Sequence, residues 1–317
     1  MLFYRKDLLP ANSDADGNGT PDVVESWNAL WKFSKDINAA DPTKRGYAKA
    51  LYDVYFSSGY LFSYGAYVFG DNGQNPLDIG FNKGEAWKGA RVIRQLAEVI
   101  GPTCVDDSIN TTCYGQLARG EIFATMTTPD VTENFITEMT AQYETEGLSS
   151  VEAEAKAREN LVIAGLPKLP ASGDLSEESP ELRDMQAMGG INGYAISAYT
   201  KVPNAALEFV KFATSYEMVK LREEMLGIAP CREDVVAESQ SPISENIFSR
   251  LEDGLITLMP SISEVAQIWT PGESFNKDLA TDPTRDPSEQ KYKTQDDYQK
   301  GLDDMCDQIL EAITTLA

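Results

Sequence analysis

Twelve residues near the start place an oxygen-bearing group at almost every second position: Asp14-Ala-Asp16-Gly-Asn18-Gly19-Thr20-Pro21-Asp22-Val-Val-Glu25. They fill every constrained place of the pattern D-x-[DN]-x-[DN]-G-x5-E. Calcium takes about six to eight hard oxygens, supplied by loop positions 1, 3, 5, 7, 9 and 12. Those positions are Asp14, Asp16, Asn18, the Thr20 main-chain carbonyl, Asp22 and Glu25, the last as a bidentate ligand. Gly19 admits the sharp turn at position 6. Carboxylates packed this closely repel one another without a cation, so a structural calcium ion is expected. Glu25 is expected to open the helix carrying Trp27. The alternative is an acidic, solvated turn with Thr20 as helix cap and Pro21 at the first helical position. A regulatory pair needs a second such loop, which this chain lacks.

A second concentration is aromatic. Tyr52, Tyr55, Phe56, Tyr60, Phe62, Tyr64, Tyr67 and Phe69 follow one another closely. Flat apolar rings stack on the C–H faces of pyranoses, and neighbouring carboxylates accept sugar hydroxyl protons. For Tyr60 to Phe69 the expected role is helix core.

Composition narrows the choice. Of 317 residues, 42% are hydrophobic and 24% charged, an ordinary globular mixture. Lysine and arginine number 27 against 50 acidic residues, so the net charge is 27 − 50 = −23. Such a chain repels phosphate backbones, so nucleic acid and anionic membrane surfaces are poor partners. There is no histidine. That removes Ser-His-Asp and Cys-His catalysis, histidine metal sites and histidine pH switches. No apolar run reaches the ~20 residues of a membrane span. Met1 to Asp7 does not read as a signal peptide. Cys104 and Cys113 lie nine apart, compatible with a bridge or a reduced pair; Cys231 and Cys306 are expected to be unpaired.

Helices alternate with short apolar strands. A helical stripe from Trp27 stops near Asp41-Pro42, and another spans residues 85–99. Thr111 or Thr112 is expected to cap a short helix ending at Gly120. Ile122-Phe-Ala-Thr-Met and Leu161-Val-Ile-Ala read as strands. Ser149 and Glu152 form a capping-box pattern. Gly189-Gly-Ile-Asn-Gly-Tyr-Ala-Ile-Ser reads as a glycine-rich strand. Helices are expected at about 203–214, 216–226, 243–253 and 294–315, with a loop at 281–293. Mixed elements over this length indicate α/β layers.

Several segments stand in a fixed order along the chain. They are Leu2-Phe-Tyr-Arg-Lys-Asp-Leu-Leu-Pro and Tyr114-Gly-Gln-Leu-Ala-Arg-Gly-Glu-Ile-Phe-Ala-Thr-Met. Then come Gly193-Tyr-Ala-Ile-Ser with Pro203-Asn-Ala-Ala-Leu-Glu-Phe-Val-Lys-Phe, Gly227-Ile-Ala-Pro-Cys-Arg-Glu-Asp-Val, and Met259-Pro260 with Trp269. By this ordered set the chain resembles the extracellular solute-binding proteins of sugar ABC transporters, of the maltose-binding protein type. The first segment is similar to the family's Tyr-Asn-Lys-Asp-Leu, and the second to its helix-to-strand unit.

The resemblance implies a type II periplasmic-binding-protein-like α/β fold. Residues 1–187 and 241–317 would build one near-complete lobe, the C-terminal one, and 188–240 part of the N-terminal lobe. By the same resemblance the chain corresponds to the C-terminal portion of such a protein. The reduced lobe should expose strand edges and an apolar helix face, inviting association through it; a complete protein would be a monomer.

Asp53-Val-Tyr-Phe matches the family's Glu-Pro-Tyr-Phe sugar-contact segment, which makes Tyr55 a stacking ring, Asp53 a hydroxyl acceptor and Phe56 their neighbour. Trp269 falls on the family's stacking tryptophan, and Asn110 lies near another contact position. Two places depart from the maltodextrin-binding members. Asp130 stands where they carry the tryptophan of Gly-Pro-Trp, and Glu273 stands where they carry an arginine. Both changes add acceptors, pointing away from maltose itself and toward another neutral or amine-bearing saccharide. The implied role is capture of a mono- or oligosaccharide, delivered to ABC transporter permease subunits, outside the cytoplasm in the periplasm or at the cell surface, with a lipid anchor on the parent protein left open. That compartment would permit a Cys104–Cys113 disulfide. Two other readings are a glycoside hydrolase using paired carboxylates and a calcium-stabilised module without a small ligand.

Overall fold

The computed structural model describes residues 1–316. A four-stranded sheet has the order Arg45–Tyr47, Ile122–Met126, Leu2–Arg5, Leu161–Ala164. Leu2–Arg5 runs antiparallel to both neighbours, with Leu2 opposite Met126 and Ala164. Arg45–Tyr47 lies parallel to Ile122–Met126. Every residue of the two central strands is buried. Both strands are buried along their whole length without alternation; their polar members are Thr125 and Arg5, the latter bonded to Asp7 and to the Leu117 and Ala118 carbonyls. Phe3 stacks on Phe135 of the helix Thr132–Thr145 at 5.1 Å, and Phe123 meets Phe33 of the helix Trp27–Ala40 edge-on at 5.0 Å.

Trp27 is fully buried, edge-on to Tyr47 and Tyr60, and its indole N–H donates to Met185 Sδ at 3.0 Å. The helix it opens starts after a break. Asp22–Glu25 is a separate helical turn, Ser26 is extended, and the Ser26 hydroxyl accepts from Ala29 N. Glu25 therefore closes the short turn and does not open the Trp27 helix, because the main chain of Glu25 and Trp27 bonds to Lys168 instead.

The stripe at 85–99 is the helix Ala86–Ile100. The capping box is present at Ser149, where both reciprocal bonds form. The helix expected from Thr111 or Thr112 begins at Ile109, preceded by Ser108. The glycine-rich strand is much shorter than its sequence suggests. Ala187–Gly189 pairs in parallel with Ile256–Leu258, and residues 190–197 pair with nothing among the described residues. Between those two paired strands the chain runs through the helices Pro203–Ala213, Tyr216–Leu226 and Pro242–Glu252. Gly227 ends the middle one at φ +63°, the left-handed cap glycine supplies cheaply.

The helix Val54–Phe62 is apolar on nearly all sides and lies against Ala86–Ile100 and Trp269–Thr281. Both approaches are made at glycine. A Cβ on Gly89 would stand 2.4 Å from the Tyr60 carbonyl oxygen, and one on Gly272 would stand 2.7 Å from Val54 Cγ2. Among the described residues no helix is long and apolar enough to cross a membrane.

Candidate functional site

The N-terminal end of Val54–Phe62 gathers most of the residues singled out from sequence. Asp53 caps this helix, its carboxylate accepting from Tyr55 N at 3.0 Å. Burial raises the Asp53 carboxyl above its ordinary value, opposed by the Lys49 charge. One oxygen thus serves the helix, leaving acceptor capacity for another donor.

Tyr55 and Phe56 are half-buried and edge-on, 5.3 Å between centroids. The Tyr55 hydroxyl lies against Gly190, where the chain leaves the paired strand Ala187–Gly189. Burial, with the nearby charges of Asp130 and Asp53, raises this phenol. Asp130, exposed in the turn Pro129–Val131, thus lies close enough for its charge to act on Tyr55.

Asn110 is tied in from the helix Ile109–Ala118. Its Oδ1 accepts from Lys49 Nζ at 3.2 Å, and its amide donates to Asp107 Oδ1 at 3.4 Å. The same Asp107 oxygen accepts from the Tyr52 hydroxyl at 2.5 Å. Burial raises the Tyr52 phenol, with the charges of Asp107, Asp53 and Glu273 adding to it. Glu273 sits one turn beyond Trp269 on the helix Trp269–Thr281. Trp269 itself is half-buried and packs against the core at the start of that helix. Lys277 lies 4.4 Å over the Tyr52 ring.

Sequence reasoning did not place Lys49, Tyr52, Asp107 or Lys277 in the site. The signal for Lys49 was a lone amine inside Ala-Lys-Ala-Leu just ahead of Asp53. Asp107 and Lys277 come from distant segments that only packing unites. Of the rings expected as helix core, Tyr60 and Phe62 are buried on Val54–Phe62; Tyr64 and Phe69 are buried beyond its end, and Tyr67 is only half-buried, because the helix stops at Phe62.

The loop Asp14–Glu25 is a separate cluster. Carboxylate oxygens of Asp14, Asp16 and Asp22 lie within 4.8 Å of one another. Gly17 and Gly19 hold φ +73° and +87°, which gives the loop its turns. Gly19 N donates to Asp14, and Thr20 N to Asn18 Oδ1. The Asn18 amide nitrogen bridges Asp16 at 2.9 Å and Glu25 at 2.5 Å. N–H donors thus stand among the carboxylates, where a cation would supply the same neutralisation with the Asn18 oxygen turned inward. Glu25 joins the cluster through Asn18.

All four cysteines are free thiols. Cys104 Sγ faces the Ala280 carbonyl and Cys113 Sγ the Asn110 carbonyl, so the two are engaged with different partners. The bridge that the implied compartment would permit is not formed here.

This fold belongs to a recognisable class. The profile of the bacterial extracellular solute-binding protein family matches residues 1–247, and the chain belongs to that family. It is 27% identical over 292 residues to the galactooligosaccharide-binding protein of Bacillus subtilis, covering 89% of this chain and 59% of the relative. It is 25% identical over 291 residues to a maltodextrin-binding protein of the same organism, covering 89% and 60%. The chain thus spans about three-fifths of the length of these relatives. Among solved structures it is similar to a maltose-binding periplasmic protein of Listeria monocytogenes in complex with maltose, at TM-score 0.63 and 22% identity, covering 99% of this chain and 70% of that one. It is also similar to a Streptococcus pneumoniae protein in complex with maltopentaose, at TM-score 0.70 and 18% identity, covering 98% and 71%. These likenesses establish the maltose-binding type of fold.

Proposed function

We propose that this protein is the sugar-capturing, extracytoplasmic component of an ABC transporter, handing an oligosaccharide to permease subunits. The observation that carries the reading is the corner at the start of Val54–Phe62. There two half-buried tyrosines meet carboxylates: the Tyr52 hydroxyl donates to Asp107, with the charges of Asp53 and Glu273 acting on it, and those of Asp130 and Asp53 act on Tyr55. Rings with a few placed acceptors suit a neutral polyol, because the rings take its C–H faces and the carboxylates its hydroxyl protons. Tyr55 and Trp269 are the stacking rings in this reading. Asp53, Asn110, Asp130 and Glu273 read hydroxyls, and Phe56 backs Tyr55. The relatives' names support a galacto- or maltooligosaccharide. Residues 1–187 with 241–317 form one lobe and 188–240 part of the opposing one. Binding without turnover follows from the family's role; the protein is not an enzyme in this reading.

Isothermal titration with maltotriose, maltopentaose and a galactooligosaccharide tests this. Saturable heat with one of them is expected, and Tyr55→Ala should weaken it at least tenfold, since burying a large side chain is worth on the order of 1.5–3 kcal/mol. Release of reducing ends during incubation would overturn the binding reading.

Calcium in the loop Asp14–Glu25 is part of the same proposal. Support comes from the complete ligand pattern and from the three converging carboxylates. Asp14, Asp16, Asn18, Thr20, Asp22 and Glu25 would hold it, and its chemistry is charge neutralisation that stiffens the loop. A cation that binds only the folded state stabilises by about 2.7 kcal/mol at a hundredfold excess over Kd. Millimolar calcium should therefore raise Tm, and Glu25→Gln should remove the rise. A flat response in scanning calorimetry would refute the ion.

A further inference from the structure

We propose that Lys49 is the positioning residue of the sugar site: its buried ammonium ties Phe56 and Asn110 into one rigid corner, and the site is competent only while that ammonium is charged. The inference rests on the sugar-binding reading above for its ligand, but its own geometry is separate.

Lys49 is 5% exposed, an unusual state for a lysine. Its Nζ stands 3.6 Å from the centroid of the Phe56 ring, close enough for a strong cation–π contact. The same nitrogen donates to Asn110 Oδ1 at 3.2 Å. Asn110 passes the order on to Asp107, and Asp107 to the Tyr52 hydroxyl. One charge therefore links the segment before Asp53, the site helix and the helix Ile109–Ala118. With one face of Phe56 covered by the ammonium, that ring supports the corner, and Tyr55 is left to meet the sugar.

A neutral amine would do neither job well. It loses the electrostatic pull on the ring and weakens its bond to Asn110. Burial pushes the Lys49 amine down to about 8, opposed by the field of Asp53. Sugar affinity should then be flat below that value and fall as pH rises through it, by about tenfold between pH 7 and 9.

The facing groups are Asp53 from the site helix, Cys113 from Ile109–Ala118, and the Met1 amino group beside the sheet. Asp107, Glu273 and Lys277 lie around Tyr52. Burial raises the Cys113 thiol to about 11, and burial with the Arg250 and Lys49 charges lowers the Met1 amine to about 5. Burial also raises the Tyr52 and Tyr55 phenols above their ordinary value of 10.0.

The test compares wild type, Lys49→Arg and Lys49→Met by titration with maltotriose and a galactooligosaccharide at pH 6.5 to 9.5. Lys49→Arg keeps a charge over Phe56 across this range, so it should bind within about threefold of wild type with a flat pH profile. Lys49→Met, which keeps the volume, should lose at least tenfold at pH 7 and also lose the pH dependence. A wild-type profile that stays flat, or unchanged affinity in Lys49→Met, would overturn the inference.

A ligand-free arm separates this from the sugar reading. The Lys49 13Cε signal, the Asn110 side-chain amide and the Phe56 ring signals should titrate together with a midpoint near 8 in the full chain. If no sugar binds but the three titrate together, the sugar reading fails while the corner tied by the Lys49 ammonium stands. If they do not move together, the positioning role fails whatever the sugar does.

Discussion

The sheet-bearing body and the segment between Gly190 and Leu226 obey the same sequence rules and end in different states. In the body, apolar residues at helical and strand positions are covered: Leu2, Phe3, Trp27, Leu30, Phe135 and Leu279 are all 0% exposed. In the other segment, residues of the same types face outward. Tyr199 is 90% exposed, Ile191 80%, Phe212 61% and Phe209 58%. Amphipathic periodicity therefore specifies which face wants to be buried, and says nothing about whether a partner surface is there to bury it.

The contrast predicts how substitutions should divide. Trp27→Ala removes a fully buried ring from a cluster with Tyr47 and Tyr60 and strands Met185. It should cost about 3–5 kcal/mol, read as a drop in the urea midpoint. A loss below about 1 kcal/mol would mean the body is much looser than its packing indicates.

Next is the ionic anchor of the C-terminal region. Asp282 is fully buried and accepts from Arg94 at 2.8 Å, Arg285 at 2.8 Å and Lys291 N at 2.7 Å. Burial alone would raise its carboxyl, but the Arg94, Lys291 and Arg285 hydrogen bonds hold it below the ordinary 3.8. Asp282→Asn removes one of the carboxylates held by Arg94 and Arg285, which keep Glu98 and Asp278, and should cost about 1–3 kcal/mol at pH 7. The depression also fixes the sign with pH. A depressed carboxyl stabilises the fold above its unfolded value near 3.8 and loses that contribution as pH falls through the folded value. Wild type and variant should thus converge in Tm below pH 4; parallel curves down to pH 2 would contradict this role.

The smallest effect belongs to the exposed segment. Phe212→Ser should change stability by no more than about 0.5 kcal/mol while lowering the binding of a hydrophobic dye. A destabilisation of 2 kcal/mol or more would show that this face is covered in solution, and the contrast between the two regions would collapse.

Local elements were legible wherever one segment carries its own instructions. The capping box at Ser149, the left-handed stop at Gly227, the buried run Ile122–Met126 and the acidic loop from Asp14 all read directly from adjacent residues. Part of the proposed corner was legible as a local cluster, because Asp53, Tyr55 and Phe56 are neighbours at one helix start. What resisted reading was every feature needing a partner from afar. The stretch after Gly189 has strand composition, yet residues 190–197 find no ladder. The helix at Trp27 is split from Glu25 because Lys168, more than a hundred residues on, takes the main-chain bonds there.

Sequence by itself determined the chemistry available: no imidazole, a surplus of carboxylates, one oxygen-rich loop and a dense run of rings. It also determined the local geometry that side-chain caps and glycines impose within a few residues. Tertiary structure decided which of these groups meet. It set Lys49 beneath Phe56, brought Asp107 to Tyr52, and laid the helix of Glu273 on Val54 through the gap that Gly272 leaves. The physical reason is range. Capping bonds and turn angles act between residues adjacent in the chain, whereas burial and charge pairing act between residues adjacent in space, and only the completed packing makes that second neighbourhood.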